Sequence, residues 1–236
     1  RIGLRRKGEA PRYVLSGGKG AVLPEGDVLA GQRLIVATDL DGDMRESRIR
    51  MAVPVDEVEL RGLFADRIET VATVEWSRRE NRIAARRQEK LGALVLSDRA
   101  LVDPVPQAMA RAAFVGLRAN GLNWSPGAAR LRARIALIPD LGPVDDASLL
   151  ADPDWLLPWL GRVRTLADLR SLDLTEALKA RIGWDGQQRL NDAAPAHFVT
   201  PLGRKVPIDY DHETPSIELK LQELFGVARH PVVGGK

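Results

Sequence analysis

Apolar and polar residues alternate in short segments of the first sixty residues, a pattern typical of half-buried β-strands. Between Ser47 and Val53 the apolar residues Ile49, Met51 and Val53 occupy every second position, and arginines occupy positions 48 and 50. Together with residues 34–40, this segment predicts a hairpin around Asp41-Gly42, because Asp-Gly favours tight turns. The same reasoning predicts two more strands, over residues 12–15 and 21–23.

A second β unit is predicted between residues 70 and 101, with its turn at Glu80-Asn81. Residues 82–90 leave a helix open as an alternative, because residues 84–86 favour helix. The alternation around Val95 favours a strand at the end of this segment.

After residue 104 the apolar spacing becomes helical. Met109, Ala113 and Leu117 recur every four residues, and Asn120-Gly121 predicts the end of that helix. Ser125-Pro126 predicts the start of the next helix, which we expect to reach about residue 138. Further helices are predicted from Asp152-Pro153, carrying Trp155 and Trp159, from a capping box at Thr165 and Asp168, and over residues 175–182 and 186–191.

Strand patterns return from His197, with a turn at residues 200–203. Ile217, Leu219 and Leu221 alternate with polar residues and predict another strand. We expect residues 196–236 to form an incomplete β unit whose terminal part is mobile or pairs with a neighbouring molecule. The first residue is not Met and the last lacks a terminating element, so the chain is predicted to be a fragment.

Composition fits an ordinary globular protein, with 44% hydrophobic and 28% charged residues among 236. The chain has no Cys, no signal peptide and no apolar run of the length that a membrane span needs, so we expect a cytoplasmic location and no membrane. The net charge is only +3, but its distribution is uneven. Residues 104–139 hold five arginines and no acidic residue, whereas residues 140–161 hold five aspartates and no Lys or Arg.

No motif for catalysis or cofactor binding is recognisable. The glycine-rich loop at residues 16–20 lacks the spacing of a phosphate-binding loop and predicts a β-turn, although Lys19 could still touch a phosphate. Residues 39–43 lack the glycine and glutamate positions of a calcium loop. The three His residues are too far apart in sequence to predict a zinc site, and thiol catalysis needs a Cys.

The order of several short segments resembles one family, the bacterial HrpB-type ATP-dependent helicases of the DEAH/RHA class, in the region after their motor domains. The segments are residues 16–21, 74–76, 122–124, 155–158, 171–173, 188–190, 195–210 and 219–226. The resemblance implies an α+β fold, with an OB-like β-barrel and a second β unit over residues 1–103. It also implies a helical bundle over residues 104–193, followed by a short, incomplete β unit over residues 194–236.

For function, the resemblance implies a non-catalytic region that binds or guides single-stranded nucleic acid, RNA in preference to DNA, beside N-terminal motor domains of the same protein. ATP and magnesium belong to those motor domains, so we expect no cofactor in this chain and no ATP hydrolysis by it alone. The alternative is a protein-interaction module, in which the helix of Trp155 and Trp159 and the acidic stretch bind a partner or the motor.

Ten residues are candidates for contact with nucleic acid on electrostatic and aromatic grounds: Lys19, Arg82, Arg86, Arg111, Arg118, Trp124, Arg130, Arg134, Arg204 and Lys205. Two other interpretations stay open. The arginines of residues 78–90 can form a salt-bridged, solvated face with neighbouring glutamates. Arg130, Arg132 and Arg134 can pair with the acidic residues 140–154 instead of binding phosphates.

Overall fold

The computed structural model of the chain describes residues 1–43, 46–212, 214–227 and 232–234. In the N-terminal part, five strands pair into a closed barrel in the order β1-β2-β3-β5-β4. The strands are β1 (Ile2–Arg5), β2 (Arg12–Leu15), β3 (Gly20–Val22), β4 (Leu34–Leu40) and β5 (Glu46–Pro54). β3 and β5 pair in parallel, and the other neighbours pair antiparallel.

The barrel encloses a core built from the inward-facing residues of its strands. Tyr13, Leu15 and Ile35 are fully buried there. The Tyr13 hydroxyl lies 2.8 and 2.9 Å from the carbonyl oxygens of Leu29 and Gln32, so the core also fixes the loop between β3 and β4. Burial raises the pKa of Tyr13, which keeps the hydroxyl protonated as a donor.

A second apolar cluster joins the barrel to the helix α1 (Glu57–Leu63) and to a three-stranded sheet. The sheet has the order β6 (Ile68–Ser77), β7 (Arg82–Leu91) and β8 (Leu94–Ala100). Leu60 of α1 and Leu94 of β8 are buried in this cluster.

Helices follow the sheet: α2 (Pro106–Asn120), α3 (Pro126–Ala136), α4 (Asp146–Ala151), α5 (Leu157–Leu160), α6 (Leu166–Ser171) and α7 (Thr175–Ala193). Ser125 caps α3, and Thr165 and Asp168 form the predicted capping box of α6. Gly183 interrupts α7 with a φ of 69°, a backbone conformation that glycine adopts readily. The hairpin of β9 (His197–Val199) and β10 (Lys205–Pro207) comes last among the strands.

Contacts divide the chain into two compact units. One contains residues 1–74 and 84–104, and the other contains residues 75–83 and 105–236. The tip of the β6–β7 hairpin therefore belongs to the unit that contains the helices. The α+β class and the predicted β-barrel are confirmed, whereas the predicted domain boundaries after residues 103 and 193 stay predictions.

The predicted second β unit is confirmed: residues 82–90 are strand and not the alternative helix, because they pair with neighbours on both sides in the sheet. Two local predictions were wrong. The helix expected from Asp152-Pro153 begins only at Leu157 and has four residues. Residues 217–221 form no strand: Ser216 makes a single bridge to Asp209, and a 3-10 helix covers Leu221–Leu224. The expectation for the chain terminus falls largely on residues 228–231 and 235–236, outside the described residues.

Candidate nucleic-acid interface

Helix α2 presents two arginines on its exposed face. Arg111 and Arg118 are seven residues apart, two helical turns, and half-exposed Val115 lies between them. The opposite face is buried through Met109, Ala113 and Leu117 among others. Neither arginine has a hydrogen-bond or ion-pair partner among the described residues, so both guanidinium groups are available to a ligand.

The arginines of α3 divide among three environments. Arg130 is exposed and without a partner in the described part of the chain. Arg132 donates from Nε to the Val144 carbonyl at 2.7 Å and forms an ion pair with Asp146 at 2.9 Å. Arg134 is only 8% exposed and donates to the carbonyl of Ala194 at 2.7 Å. The open interpretation that these arginines pair with the acidic residues 140–154 is therefore correct for Arg132.

Arg134 serves the fold rather than the surface. Its second bond, from a terminal guanidinium nitrogen, reaches the Asn191 side-chain oxygen at 3.0 Å. Burial lowers the pKa of Arg134, and its interaction with Tyr210 opposes that shift. Because two of its donor nitrogens are engaged and the side chain is buried, Arg134 is not presented to a ligand as Arg111 and Arg118 are.

Trp124 is half-buried and has one covered face. The guanidinium of Arg132 lies 4.5 Å from the centre of its ring, a cation–π contact, and the indole Nε1 donates to Asp146 at 3.3 Å. A nucleic-acid base can therefore stack only on the other face. Trp124, Arg132 and Asp146 form a closed cluster.

The tip of the β6–β7 hairpin is anchored to the start of α6. Ile83 donates its N–H to the Arg164 carbonyl at 2.8 Å, and Leu166 donates to the Asn81 carbonyl at 2.9 Å. Arg82 forms an ion pair with Glu80 at 3.3 Å, the salt-bridged arrangement that the sequence left open. Arg78 and Arg79, at the same tip, are exposed and have no partner among the residues described.

This anchored tip and the C-terminal end of α2 enclose a cavity of about 370 Å³. Its lining consists of Trp76, Arg78, Asn81, Ala119 and Asn120. Trp76 is buried against α2 at Gly116, where a Cβ atom would lie 2.6 Å from the indole. The other four lining residues are exposed, so the cavity opens to solvent. Arg118, the last arginine of α2, precedes the lining residue Ala119 in sequence.

The remaining candidates for contact with nucleic acid lie outside α2, α3 and the hairpin tip. Lys19 is half-buried in the β2–β3 turn, and Arg86 on β7 forms an ion pair with Asp98 of β8 at 3.6 Å. Both belong to the unit that contains the barrel. Arg204, on the β9–β10 hairpin, is paired with Glu223, whose pKa this contact lowers. Lys205 is exposed, with no partner in the described ranges.

The sequence interpretation missed one aromatic residue. Trp184 is 72% exposed, far more than the other tryptophans, because Gly183 breaks α7 just before it. The sequence did contain a signal for this exposure, because Trp184 lies between the predicted helices 175–182 and 186–191. An exposed indole is a typical stacking platform for single-stranded bases.

No group of three or more potential metal ligands is found in residues 1–43, 46–212, 214–227 and 232–234. Within the same ranges, no helix is both long and apolar enough to cross a membrane. The free arginines of α2, Arg130, the hairpin tip and the cavity are among the chemically available features of the unit that contains the helices.

Comparison with known proteins connects both parts of the chain to one family. A family model of the connector region of the ATP-dependent RNA helicase HrpB matches residues 67–101, the three-stranded sheet. A model described as ATP-dependent helicase C-terminal matches residues 155–236. The ATP-dependent RNA helicase HrpB of Escherichia coli K12 is 34% identical over 97% of the chain. The chain belongs to the HrpB family of helicases.

Solved structures agree with this assignment. The crystal structure of the E. coli DExH-box NTPase HrpB shares 34% identity and a TM-score of 0.53 over 99% of this chain. A second structure, of the E. coli DEAH/RHA helicase HrpB, shares 30% identity and a TM-score of 0.54, also over 99%. The chain spans 30% of the length of the E. coli relative and corresponds to its C-terminal region. The predicted resemblance is confirmed.

Proposed function

We propose that this chain is the non-catalytic C-terminal region of an ATP-dependent helicase, and that it holds single-stranded nucleic acid beside the motor domains. The observation that carries the proposal is the exposed face of α2, where Arg111 and Arg118 lack partners among the described residues. No acidic residue occurs between residues 104 and 139 to neutralise them. Guanidinium groups on such a face bind phosphates.

RNA is the favoured polymer, because the E. coli relative is named an RNA helicase. Phosphate contacts along an α2 face do not themselves distinguish RNA from DNA. ATP and magnesium are assigned to motor domains outside these 236 residues. In this proposal the unit that contains the helices supplies the phosphate contacts.

A protein-interaction module finds less support. Trp155, proposed as its anchor, is only 7% exposed, and its indole donates to the Leu149 carbonyl at 2.9 Å. Asp146 of the acidic stretch is occupied by Arg132 and Trp124. Trp155 and Asp146 are therefore engaged within the fold.

The test is a titration of the 236-residue chain with fluorescently labelled single-stranded homopolymers of RNA and DNA. We expect the affinity to fall steeply between 50 and 200 mM salt, because binding phosphates releases counterions. RNA should bind more tightly than DNA of the same base and length. Undetectable binding at low salt, or an affinity that does not change with salt, would contradict the proposal and favour an apolar protein interface.

A further inference from the structure

Trp76 carries a polar atom that the fold does not satisfy. Its indole Nε1 is buried and has no hydrogen-bond acceptor among the described residues. Buried donors are normally paired, and an unpaired one calls for an explanation. Trp76 also lines the cavity between the hairpin tip and α2. A ligand acceptor that reaches Nε1 from this cavity would supply what the indole lacks.

The other lining residues carry groups that can form hydrogen bonds with a nucleotide. Asn81 and Asn120 offer carboxamides, each with two N–H donors and one carbonyl acceptor. Asn120 uses one donor on the Gly116 carbonyl at 2.8 Å, and the Asn81 side chain has no partner in the described part of the chain. Carboxamides form paired hydrogen bonds with base edges, and the Arg78 guanidinium matches a phosphate.

The geometry fixes the backbone that carries these groups before any ligand binds. Asn81 is held by its carbonyl bond from Leu166 and adopts a positive φ of 50°. Trp76 is pressed against Gly116, and Asn120 is the last residue of α2. The cavity volume of about 370 Å³ lies in the range of small-molecule sites. A site formed in advance loses less entropy on binding.

We propose that this cavity is a subsite for one nucleotide of the bound strand. The base edge contacts Asn81 and Asn120, a carbonyl oxygen of the base accepts from the Trp76 indole, and Arg78 binds the adjoining phosphate. The rest of the strand follows the arginines of α2 beyond Arg118. This inference rests on the proposed function, to which it adds a contact that senses the base.

The main test fills the cavity without changing charge. Ala119→Leu places a larger side chain at an exposed lining position, and Ala180→Leu is the matched control on an exposed position of α7. Each variant of the 236-residue chain is titrated with labelled single-stranded RNA homopolymers of the four bases. We expect Ala119→Leu to weaken binding about tenfold, the loss of one base contact. The salt dependence should stay unchanged, because no phosphate contact is removed.

Base preference gives a second readout. The wild-type affinities should differ among the homopolymers, and the differences should shrink in Ala119→Leu, because phosphate contacts carry no base information. Arg78→Ala should weaken binding and reduce the log–log salt slope by about 0.7. Arg79→Ala removes a neighbouring arginine outside the cavity lining and should leave the affinity and the salt slope unchanged. This pair of variants decides the question if Ala119→Leu fails to fold.

Nuclear magnetic resonance of the indole N–H groups tests the role of Trp76 directly. The Trp76 signal, assigned with Trp76→Phe, should shift when the oligonucleotide is added to the wild type and should not shift in Ala119→Leu. If Ala119→Leu and Arg78→Ala bind like the wild type while Arg111→Ala with Arg118→Ala loses affinity, the subsite is refuted and the proposed function stands. If the wild type binds no homopolymer, the proposed function fails as well.

Discussion

At the scale of single residues, Arg130 and Arg134 show how much a helical spacing leaves undecided. They are one turn apart on α3, so a helical interpretation places them on the same face. The structure leaves Arg130 exposed, while Arg134 reaches the end of α7 and is only 8% exposed. Spacing identified neighbours correctly, but the burial of Arg134 depends on Asn191 and Ala194, which are distant in sequence.

This difference predicts that the same substitution has a large effect on stability at one position and a small effect at the other. Arg134→Ala should lower the free energy of unfolding by about 2 kcal/mol or more, because it leaves the Ala194 carbonyl without its donor and opens a cavity. Arg130→Ala should change it by less than about 0.5 kcal/mol. Urea unfolding measures both. If Arg130→Ala proves the more destabilising of the two, the assignment of Arg134 to the fold is wrong.

Gly116 gives a second prediction at this scale. A methyl group there would lie 2.6 Å from the Trp76 indole, so Gly116→Ala should destabilise the protein by about 1–3 kcal/mol. The matched control is Gly127→Ala on α3, where the new Cβ would meet only the Thr175 hydroxyl at 3.9 Å. The control should be neutral or stabilising by up to about 1 kcal/mol, because alanine favours helix. Thermal unfolding of both variants provides the comparison.

At the scale of elements, the best sequence predictions were those with a local physical cause. The β4–β5 hairpin, the Ser125 cap and the capping box of α6 formed where alternation and capping residues placed them. The strand predicted at residues 217–221 failed, because alternation alone provides no neighbouring strand to pair with. β1 was missed since its four residues follow no clear alternation, although it closes the barrel against β4.

The capping box of α6 also carries a prediction about acid stability. Hydrogen bonds from the backbone N–H groups of Arg164 and Thr165 lower the pKa of Asp168. A carboxyl with a lowered pKa in the folded state stabilises above its unfolded pKa of about 3.9, and this contribution is lost as pH falls through the folded value. The same segment anchors the hairpin tip through Ile83 and Leu166.

We therefore expect Asp168→Ala to reduce stability at pH 7 by about 1 kcal/mol. The gap to the wild type should begin to close below about pH 4 and continue to close at lower pH, because the wild-type carboxylate then becomes protonated. Urea unfolding at pH 7 and at pH 3 tests this. Asp192→Ala, at an exposed α7 position, is the control and should show no such gap. An equal gap at both pH values would argue against the carboxylate as its source.

At the scale of the whole molecule, the family could be identified from sequence, but the interface could not. The order of short motifs predicted the HrpB family, and the comparisons confirmed it. The ten candidate contact residues remain untested, and the structure explains why charge alone could not rank them. Arg86 and Arg204 are paired on the surface, whereas Arg111, Arg118 and Arg130 are unpaired among the described residues. Pairing depends on which acidic residues the fold brings near.

The unpaired arginines lead to the last prediction, on how the molecule binds a polyanion. Replacing Arg111, Arg118 and Arg130 with Ala should weaken single-strand binding to a similar degree for all base sequences, because phosphates carry no base information. If all three contact phosphates, the log–log salt slope should shrink by about 2, from about 0.7 per contact. The melting temperature should stay near that of the wild type, because no described partner is lost.

A control variant has the same net charge as this triple variant but lacks three arginines elsewhere. It replaces Arg162, Arg170 and Arg189 with Ala, all exposed positions outside α2 and α3. If binding depended only on overall charge, both triple variants would lose affinity equally. We expect the control to retain most of the wild-type slope, because fixed phosphate contacts and not net charge set the number of counterions released. An unchanged slope for the α2–α3 variant, together with a lowered melting temperature, would instead assign these arginines to the stability of the fold.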